Sequence, residues 1–201
     1  SVADLLDNLF AGRLADDSLF EKGKAYDISK SLVKSYADED YFPIWLTENG
    51  DVSYVTGLLH DLEALQYDGL DTARYQLTKL KTLLHQYQNA KTVDEAFIVN
   101  FDTLCTQSYL QASRDLLLGA IVPKKADSLW FHANDSVWQP YSMLAALGRA
   151  DADYPSLDTF RSRYKTYTLL RDAMKQYSVL MADSNYLYAK QAANSGGFTD
   201  S

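Results

Sequence analysis

The sequence has little of what would cross-link a chain or embed it in a membrane. Its 201 residues include one cysteine and four prolines. A single cysteine excludes an internal disulfide, which fits a cytoplasmic protein and does not exclude a periplasmic one. No apolar run approaches the roughly 20 residues of a membrane span, and the first residues lack the apolar core of a signal peptide. The sequence therefore predicts a soluble chain.

Basic clusters are also lacking. The chain has 19 Lys and Arg against 27 Asp and Glu, a net charge of -8, and no basic run interrupts the acidic excess. Because binding to a nucleic-acid backbone needs clustered cations, this charge pattern argues against a nucleic-acid partner. Hydrophobic residues at 47% and charged residues at 23% are ordinary for a globular protein. The unusual count is that of tyrosine, 15, a residue that suits half-buried helix faces and equally glycan or partner surfaces.

No segment alternates polar and apolar residues with period two, so little or no sheet is expected. Proline and glycine fall mostly between segments of helical period. The sequence predicts an all-α fold, an irregular single-domain bundle of seven to nine helices over residues 1–193, followed by a linker-like tail over residues 194–201. The apolar spacing places helices at residues 2–14, 24–36, 53–68, 71–87, 92–118, 141–147 and, after Pro155, at about 156–181.

Local signals mark several of the helix ends. Gly69 can take the left-handed conformation that terminates a helix, and Asp71 can cap the next one. Thr92-x-x-Glu95 has the form of a capping box that opens the long helix ending at Gly119. The helices on either side of Gly69 should form an αα-hairpin because so few residues join them. Trp45 and Tyr75 are expected to be buried.

Cys105 is the candidate nucleophile. It lies in the middle of a predicted helix, within Asp102-Thr103-Leu104-Cys105-Thr106-Gln107, and no neighbouring base in the sequence would activate it. A cysteine on the apolar face of a helix is usually a small buried hydrophobe. We therefore expect a structural role for Cys105 and predict no catalytic residue in this chain.

Metal-binding patterns are incomplete. His60 and Glu63 lie one helical turn apart, but no second such pair supplies the three or four ligands that zinc needs. His85 and His132 have no partner that the sequence identifies, and Asp151-Ala152-Asp153 lacks the glycine and distal glutamate of a calcium loop. No metal and no cofactor are predicted. A pair of carboxylates for glycoside hydrolysis can be drawn from any chain with 27 acids, so the acids alone indicate nothing.

Six aromatic residues could line a sugar or peptide groove, or could equally fill the core between helices. They are Tyr41, Phe42, Trp45, Trp130, Trp138 and Tyr141. Core filling is the favoured interpretation, and Trp130, Trp138 and Tyr141 remain as candidate contacts for a ligand or partner.

Four motifs follow one another along the chain. They are Tyr41-Phe42-Pro43-Ile44-Trp45, then Asp68-Gly69-Leu70-Asp71 with Tyr75, then Arg114-Asp115-Leu116 with Gly119 and Pro123, and finally Tyr167 with Leu170, Arg171 and Tyr177. In this order, over about residues 35–180, they resemble the scaffold domain of large bacterial L,D-transpeptidases of the YcbB type, which cross-link peptidoglycan. Two positions depart from the family's pattern: Ala120 stands where an arginine is frequent, and Thr72 where a proline is frequent.

The resemblance implies a non-catalytic scaffold in the periplasm or cell envelope. Its partners would be the catalytic and peptidoglycan-binding modules of the same parent chain, with peptidoglycan itself as a further candidate. Neither the catalytic Ser-x-Gly-Cys-x-Arg segment nor the peptidoglycan-binding repeat is present in the sequence. Gly196-Gly197-Phe198 is similar to the segment that leads into the remaining modules. The chain is therefore expected to be an N-terminal piece of a longer enzyme that is often tethered upstream of Ser1.

Two alternatives stay open from the sequence. One is a helical module that recognises peptidoglycan strands through exposed Trp and Tyr. The other is an independent helical hydrolase that uses a pair of acids. Exposure of Trp130 and Trp138 would favour the first alternative, and a cleft with two close carboxylates would favour the second.

Overall fold

A computed structural model describes residues 1–14, 28–38, 40–46, 49–120, 144 and 153–183. These residues form six α-helices and no strand. The helices are α1 (Val2–Leu14), α2 (Ile28–Ala37), α3 (Ser53–Ala64), α4 (Leu77–Asn89), α5 (Glu95–Leu118) and α6 (Lys165–Ala182). Three short 3-10 helices, Leu65–Asp68, Thr72–Tyr75 and Leu157–Phe160, lie between them.

The all-α class is confirmed, and the six helices of the described residues are fewer than the predicted seven to nine. The 3-10 helices Leu65–Asp68, Thr72–Tyr75 and Leu157–Phe160 lie within segments that the apolar spacing assigned to longer helices. The predicted helix at 141–147 lies outside the described residues except for Leu144, which is buried. In the part of the chain that the structure describes, no helix has the length and apolar character needed to cross a membrane.

Helix α5 is the centre of the bundle. Helices α1, α2, α3 and α4 and the 3-10 helix Leu157–Phe160 all pack against it. Its inward positions include Phe101, Cys105 and Tyr109, each fully buried. The ring of Tyr109 contacts that of Trp45 at a centroid distance of 5.6 Å. Trp45 and Tyr75 are both fully buried, as predicted.

The junction between α3 and α4 is confirmed in part. Gly69 has φ of 74° and ends the 3-10 helix that continues α3, and the Asp71 side chain accepts a hydrogen bond from the Ala73 N–H group. However, the helix predicted to start at Asp71 is interrupted. Gln76 has φ of 55°, a left-handed conformation that breaks the α-helical path, so that α4 begins at Leu77.

The start of α5 differs from the prediction. The helix is capped by Asp94, whose carboxylate accepts a hydrogen bond from the Phe97 N–H group, and the Thr92-x-x-Glu95 capping box is wrong. An aspartate immediately before the first helical residue is among the strongest N-caps, and its bond to the Phe97 N–H group moves the start of the helix two residues beyond the predicted cap. The end of α5 at Gly119 is as predicted, with φ of 90°.

Candidate functional site

The first motif forms a turn that is held by a buried carboxylate. Asp102, on α5, is fully buried. Its Oδ1 accepts the Ile44 N–H group at 3.0 Å, and its Oδ2 accepts the N–H groups of Trp45 at 2.8 Å and Leu46 at 3.1 Å. The Pro43 turn therefore presents three successive backbone donors to one side chain, much as a helix N-terminus presents its free N–H groups to a cap.

Two side chains complete this arrangement. The Tyr36 hydroxyl donates to Oδ1 of Asp102 at 2.6 Å, and Nε1 of Trp45 donates to the Thr106 hydroxyl at 2.8 Å. Burial raises the pKa of the Asp102 carboxyl, and the hydrogen bonds from Tyr36 and the three backbone groups lower it. The short Tyr36 contact has the length of a bond from a hydroxyl to an ionised carboxylate. Asp102 thus joins α2, the Pro43 turn and α5.

The second and third motifs meet at Asp115. The Tyr75 hydroxyl donates to Oδ2 of Asp115 at 3.0 Å, and Nε2 of Gln111 donates to Oδ1 at 3.0 Å. The Arg74 guanidinium lies 3.3 Å from Oδ2. Burial, followed by the Asp115 charge, raises the pKa of the Tyr75 hydroxyl. Of the other residues in these motifs, Arg114 is half-buried beside Asp115.

The second and fourth motifs meet at Asp68, whose side chain is 1% exposed. Nε of Arg161 donates to its Oδ2 at 2.9 Å, and the Tyr167 hydroxyl donates to its Oδ1 at 2.7 Å. The Arg171 guanidinium forms an ion pair with Oδ1 at 2.9 Å. Burial and the bond to Asp68 raise the pKa of Tyr167 to about 12. Asp68 therefore attaches α6 to the rest of the bundle.

A fourth buried carboxylate lies, like Asp102, outside the motifs. Oδ2 of Asp61, on α3, accepts the Tyr154 and Ser156 hydroxyls at 3.0 Å each and the Leu157 N–H group at 2.7 Å. The Tyr154 ring also packs against Gly57, where an added Cβ would lie 2.9 Å from the ring. The sequence analysis missed both Asp61 and Asp102. Each stands among apolar residues on a buried helix face, a signal that could have identified them.

Each of these four buried carboxylates accepts hydrogen bonds from several donors of the chain itself, an arrangement typical of structural carboxylates. Cys105 is fully buried, and burial, followed by the nearby Asp102 charge, raises the pKa of its thiol well above the usual value. A buried thiol with a raised pKa is a poor nucleophile.

The candidate metal ligands do not come together. His60 is 83% exposed, and the Glu63 carboxylate pairs with Lys81. Among the described residues no group of three His, Cys, Asp or Glu could hold a metal ion.

The remaining predicted positions are placed as follows. Tyr41 is half-buried, with φ of 62°, and burial raises the pKa of its hydroxyl. Phe42 is 56% exposed, so this member of the aromatic set does not fill the core, whereas Trp45 does. Pro123, Trp130, Trp138, Tyr141, His132, Asp151 and Gly196-Gly197-Phe198 lie outside the described residues. Their suggested roles stay predictions.

Helix α6 differs from every other helix. The spacing of three and four between its apolar side chains is that of an amphipathic helix, yet none of its residues is buried. Six large apolar side chains recur three or four residues apart on one side and are 45–65% exposed. This α6 apolar face comprises Leu169, Leu170, Met174, Tyr177, Leu180 and Met181. Tyr167 and Arg171, which bind Asp68, lie along the edge of this face next to Met174.

A groove runs along the edge of this face. It has a volume of about 460 Å³ and lies between the C-terminal half of α6 and the 3-10 helix Leu65–Asp68. Tyr67, Met174, Tyr177 and Met181 supply most of its apolar lining. Methionine side chains adapt to partners of different shape, so the groove adds a deformable apolar surface to the exposed helix.

Comparison with known proteins agrees with the motifs. A family model described as Scaffold domain matches residues 30–174, well over half of the chain. Comparisons with the curated proteins and with the solved structures gave no match. The matched span includes Asp61, Asp68, Asp102 and Asp115 with most of their donors. The chain belongs to the scaffold-domain family of YcbB-type L,D-transpeptidases.

Proposed function

We propose that this chain is the non-catalytic scaffold of a peptidoglycan L,D-transpeptidase in the periplasm. In this proposal it holds the catalytic module of the same parent chain against the α6 apolar face. The observation that carries the proposal is the exposure of six large apolar side chains on one helix. Monomeric proteins rarely leave contiguous apolar patches of several hundred Å² uncovered, and larger patches usually mark an interaction site.

The attachment of α6 supports the same role. One side of the helix is fixed to the bundle through Tyr167 and Arg171, which both bind Asp68. The six apolar side chains next to this attachment stay 45–65% exposed. A helix that is fixed on one side and exposed on another can position a second module without any chemistry of its own. The buried, protonated Cys105 supports a separate source for the nucleophile.

The first test is the reading frame downstream of the codon for Ser201. We expect it to encode a Ser-x-Gly-Cys-x-Arg segment. A stop codon directly after Ser201, with no transpeptidase segment elsewhere in the same frame, would contradict the proposed parent enzyme.

The second test measures binding of the separately produced catalytic module to this chain by calorimetry. Leu170→Asp and Tyr177→Asp place a charge on the α6 apolar face and should weaken binding at least about tenfold, since burying an unpaired charge is costly. Thr168→Asp adds the same charge at an exposed polar position on another side of the same helix and serves as the matched control. Equal weakening by all three variants, or by none, would place the interface elsewhere.

The third test concerns activity. Incubation of the purified chain with muropeptides and with intact sacculi should give neither new cross-links nor released fragments. Turnover that survives Cys105→Ala would favour the helical hydrolase, and turnover abolished by that substitution would assign catalysis to the cysteine.

A further inference from the structure

The segment around α4 is free of acidic residues. Between Asp71 and Asp94 the sequence has four cations, Arg74, Lys79, Lys81 and Lys91, and no Asp or Glu, although the whole chain has a net charge of -8. Such an asymmetry of charge within one domain is a property of surfaces that meet anions.

Only some of these cations are available. Arg74 pairs with Asp115, and Lys81 pairs with Glu63. Lys79 and Lys91 are exposed, and neither has an acidic partner in the described part of the chain. The outward side of α4 between them carries uncharged polar side chains, all exposed: Thr78, Thr82, His85, Gln86 and Asn89.

A cleft opens at the C-terminal end of α4. It has a volume of about 450 Å³, and its lining includes Lys91, Gln88, Thr92 and Tyr87. None of its described lining residues is acidic. The Tyr87 ring forms one wall and is supported from behind by the Phe101 ring, with centroids 6.3 Å apart in an edge-on arrangement.

Gly50 forms the opposite side of the cleft. Its φ of 73° is a conformation that other residues rarely adopt, and an added Cβ would lie 3.9 Å from the Tyr87 hydroxyl. The glycine thus provides the turn and leaves the Tyr87 hydroxyl uncovered from that side. The cationic segment and the cleft therefore coincide at Lys91, which lines the cleft.

We propose that this cleft, together with the outward side of α4, binds a carboxylate-bearing glycopeptide. Lys91 would pair with a carboxylate of the peptide. Gln88 and Thr92 offer donors and acceptors for sugar hydroxyl and acetamido groups, and Tyr87 offers a ring and a hydroxyl to a sugar face. Naming the polymer as peptidoglycan rests on the proposed function, whereas the chemical class of the ligand follows from the side chains of the cleft and of the outward side of α4.

Other anionic partners fit less well. Nucleic-acid binding typically uses about six to ten phosphate contacts, and this surface offers two unpaired lysines. None of the exposed large apolar side chains lies on α4, so the helix has nothing to insert into a lipid surface. The uncharged hydroxyl, amide and imidazole groups between the lysines match a glycan better than an acidic protein segment.

The test titrates the 201-residue chain with three probes and follows backbone amide shifts by NMR. The probes are a disaccharide muropeptide with free carboxylates, the same compound with its carboxylates amidated, and a neutral chitin oligosaccharide. We expect shifts at residues 50–52 and 87–93, binding of the free-carboxylate probe at least about fivefold tighter than the amidated probe, and weak or no binding of the chitin oligosaccharide. Lys91→Glu and Lys79→Glu should each weaken binding of the first probe about fivefold or more, about the effect of one exposed charge.

Lys165→Glu is the matched control, since Lys165 is an exposed lysine at the start of α6. It should change the affinity less than twofold. The proposal is overturned if no probe binds, or if Lys91→Glu leaves the affinity unchanged. It is also overturned if the amidated probe binds with equal affinity, or if the amide shifts are confined to α6. The test is independent of module docking, because the α6 variants above should leave muropeptide binding unchanged and the α4 variants should leave docking unchanged.

Discussion

The Tyr36 hydroxyl donates a hydrogen bond of 2.6 Å to the carboxylate of Asp102, across 66 residues of sequence. Both side chains are fully buried. Because the same carboxylate also accepts three backbone N–H groups of the Pro43 turn, one side chain determines the position of three segments. The aromatic–Pro–x–Trp motif therefore depends on a residue that lies outside it.

Asp102→Asn should destabilise the chain by about 3 kcal/mol or more. The amide NH₂ group cannot accept hydrogen bonds, so buried donors that face it would lose their acceptor. Tyr36→Phe removes one donor and should cost about 1 kcal/mol. Chemical denaturation measures both, with Asp172→Asn as an exposed control that should change stability by less than about 0.5 kcal/mol. Equal stabilities of Asp102→Asn and the control would contradict the role assigned to Asp102.

Trp45→Ala should cost about 3–5 kcal/mol, because it leaves a cavity and removes the donor to Thr106. Phe42→Ala is the natural comparison, since Phe42 is three residues away in the same turn and 56% exposed. Its denaturation midpoint should stay close to that of the unmodified chain. A similar midpoint for the two variants would mean that Trp45 does not belong to the core.

Cys105 should react with a thiol reagent only after unfolding. The folded chain buries the thiol completely, so that a reagent cannot reach the sulfur. Burial also raises the pKa of the thiol, so that little reactive thiolate forms at neutral pH. A disulfide-exchange reagent followed by absorbance gives the rate with and without denaturant. Rapid modification of the folded chain at pH 7 would rule out the structural role.

Stability should fall as the pH rises above about 10. Burial raises the pKa of the Tyr36, Tyr75, Tyr109 and Tyr154 hydroxyls, and that of Tyr167 to about 12. A tyrosine whose pKa is higher in the folded than in the unfolded chain stabilises the folded state. This stabilisation is complete below the unfolded pKa of about 10 and is lost as the pH rises towards the folded pKa. Each such tyrosine then removes up to about 1.4 kcal/mol per pH unit.

Denaturation midpoints measured between about pH 8 and pH 12, with tyrosinate absorbance, test this expectation. Part of the tyrosinate signal should appear together with loss of helical circular dichroism. Tyr75→Phe should flatten the decline, whereas Tyr164→Phe should not, because Tyr164 is 80% exposed. Complete ionisation of the tyrosines with the helices intact would contradict the burial on which the prediction rests.

The sequence predicts the parts of this fold that local chemistry determines. Gly69 ends a helix because glycine readily adopts the left-handed conformation found there. Apolar residues at helical spacing over more than 20 residues predicted the long helix α5. A buried helix face could have singled out Asp61 and Asp102, but their hydrogen-bond partners lie far away in sequence, so no local pattern could reveal which residues they bind. The same spacing of apolar residues describes a packed and an unpacked helix face. The exposure of α6 therefore had to come from the structure.

Asp68→Asn should release α6 while the bundle around α5 stays folded. An asparagine leaves the Arg161 and Arg171 guanidiniums without their shared carboxylate, and loss of one partner in a buried ion pair costs about 3 kcal/mol or more. Because α6 buries no side chain of its own and an isolated helix of this length is marginal in water, little else would hold it. Amide hydrogen exchange in α6 should accelerate about a hundredfold, with exchange in α5 unchanged.

Asp158→Asn is the control, because it removes only the exposed partner of Arg161, and it should have a much smaller effect on exchange in α6. Uniform acceleration across α5 and α6 would instead show that Asp68 supports the whole bundle.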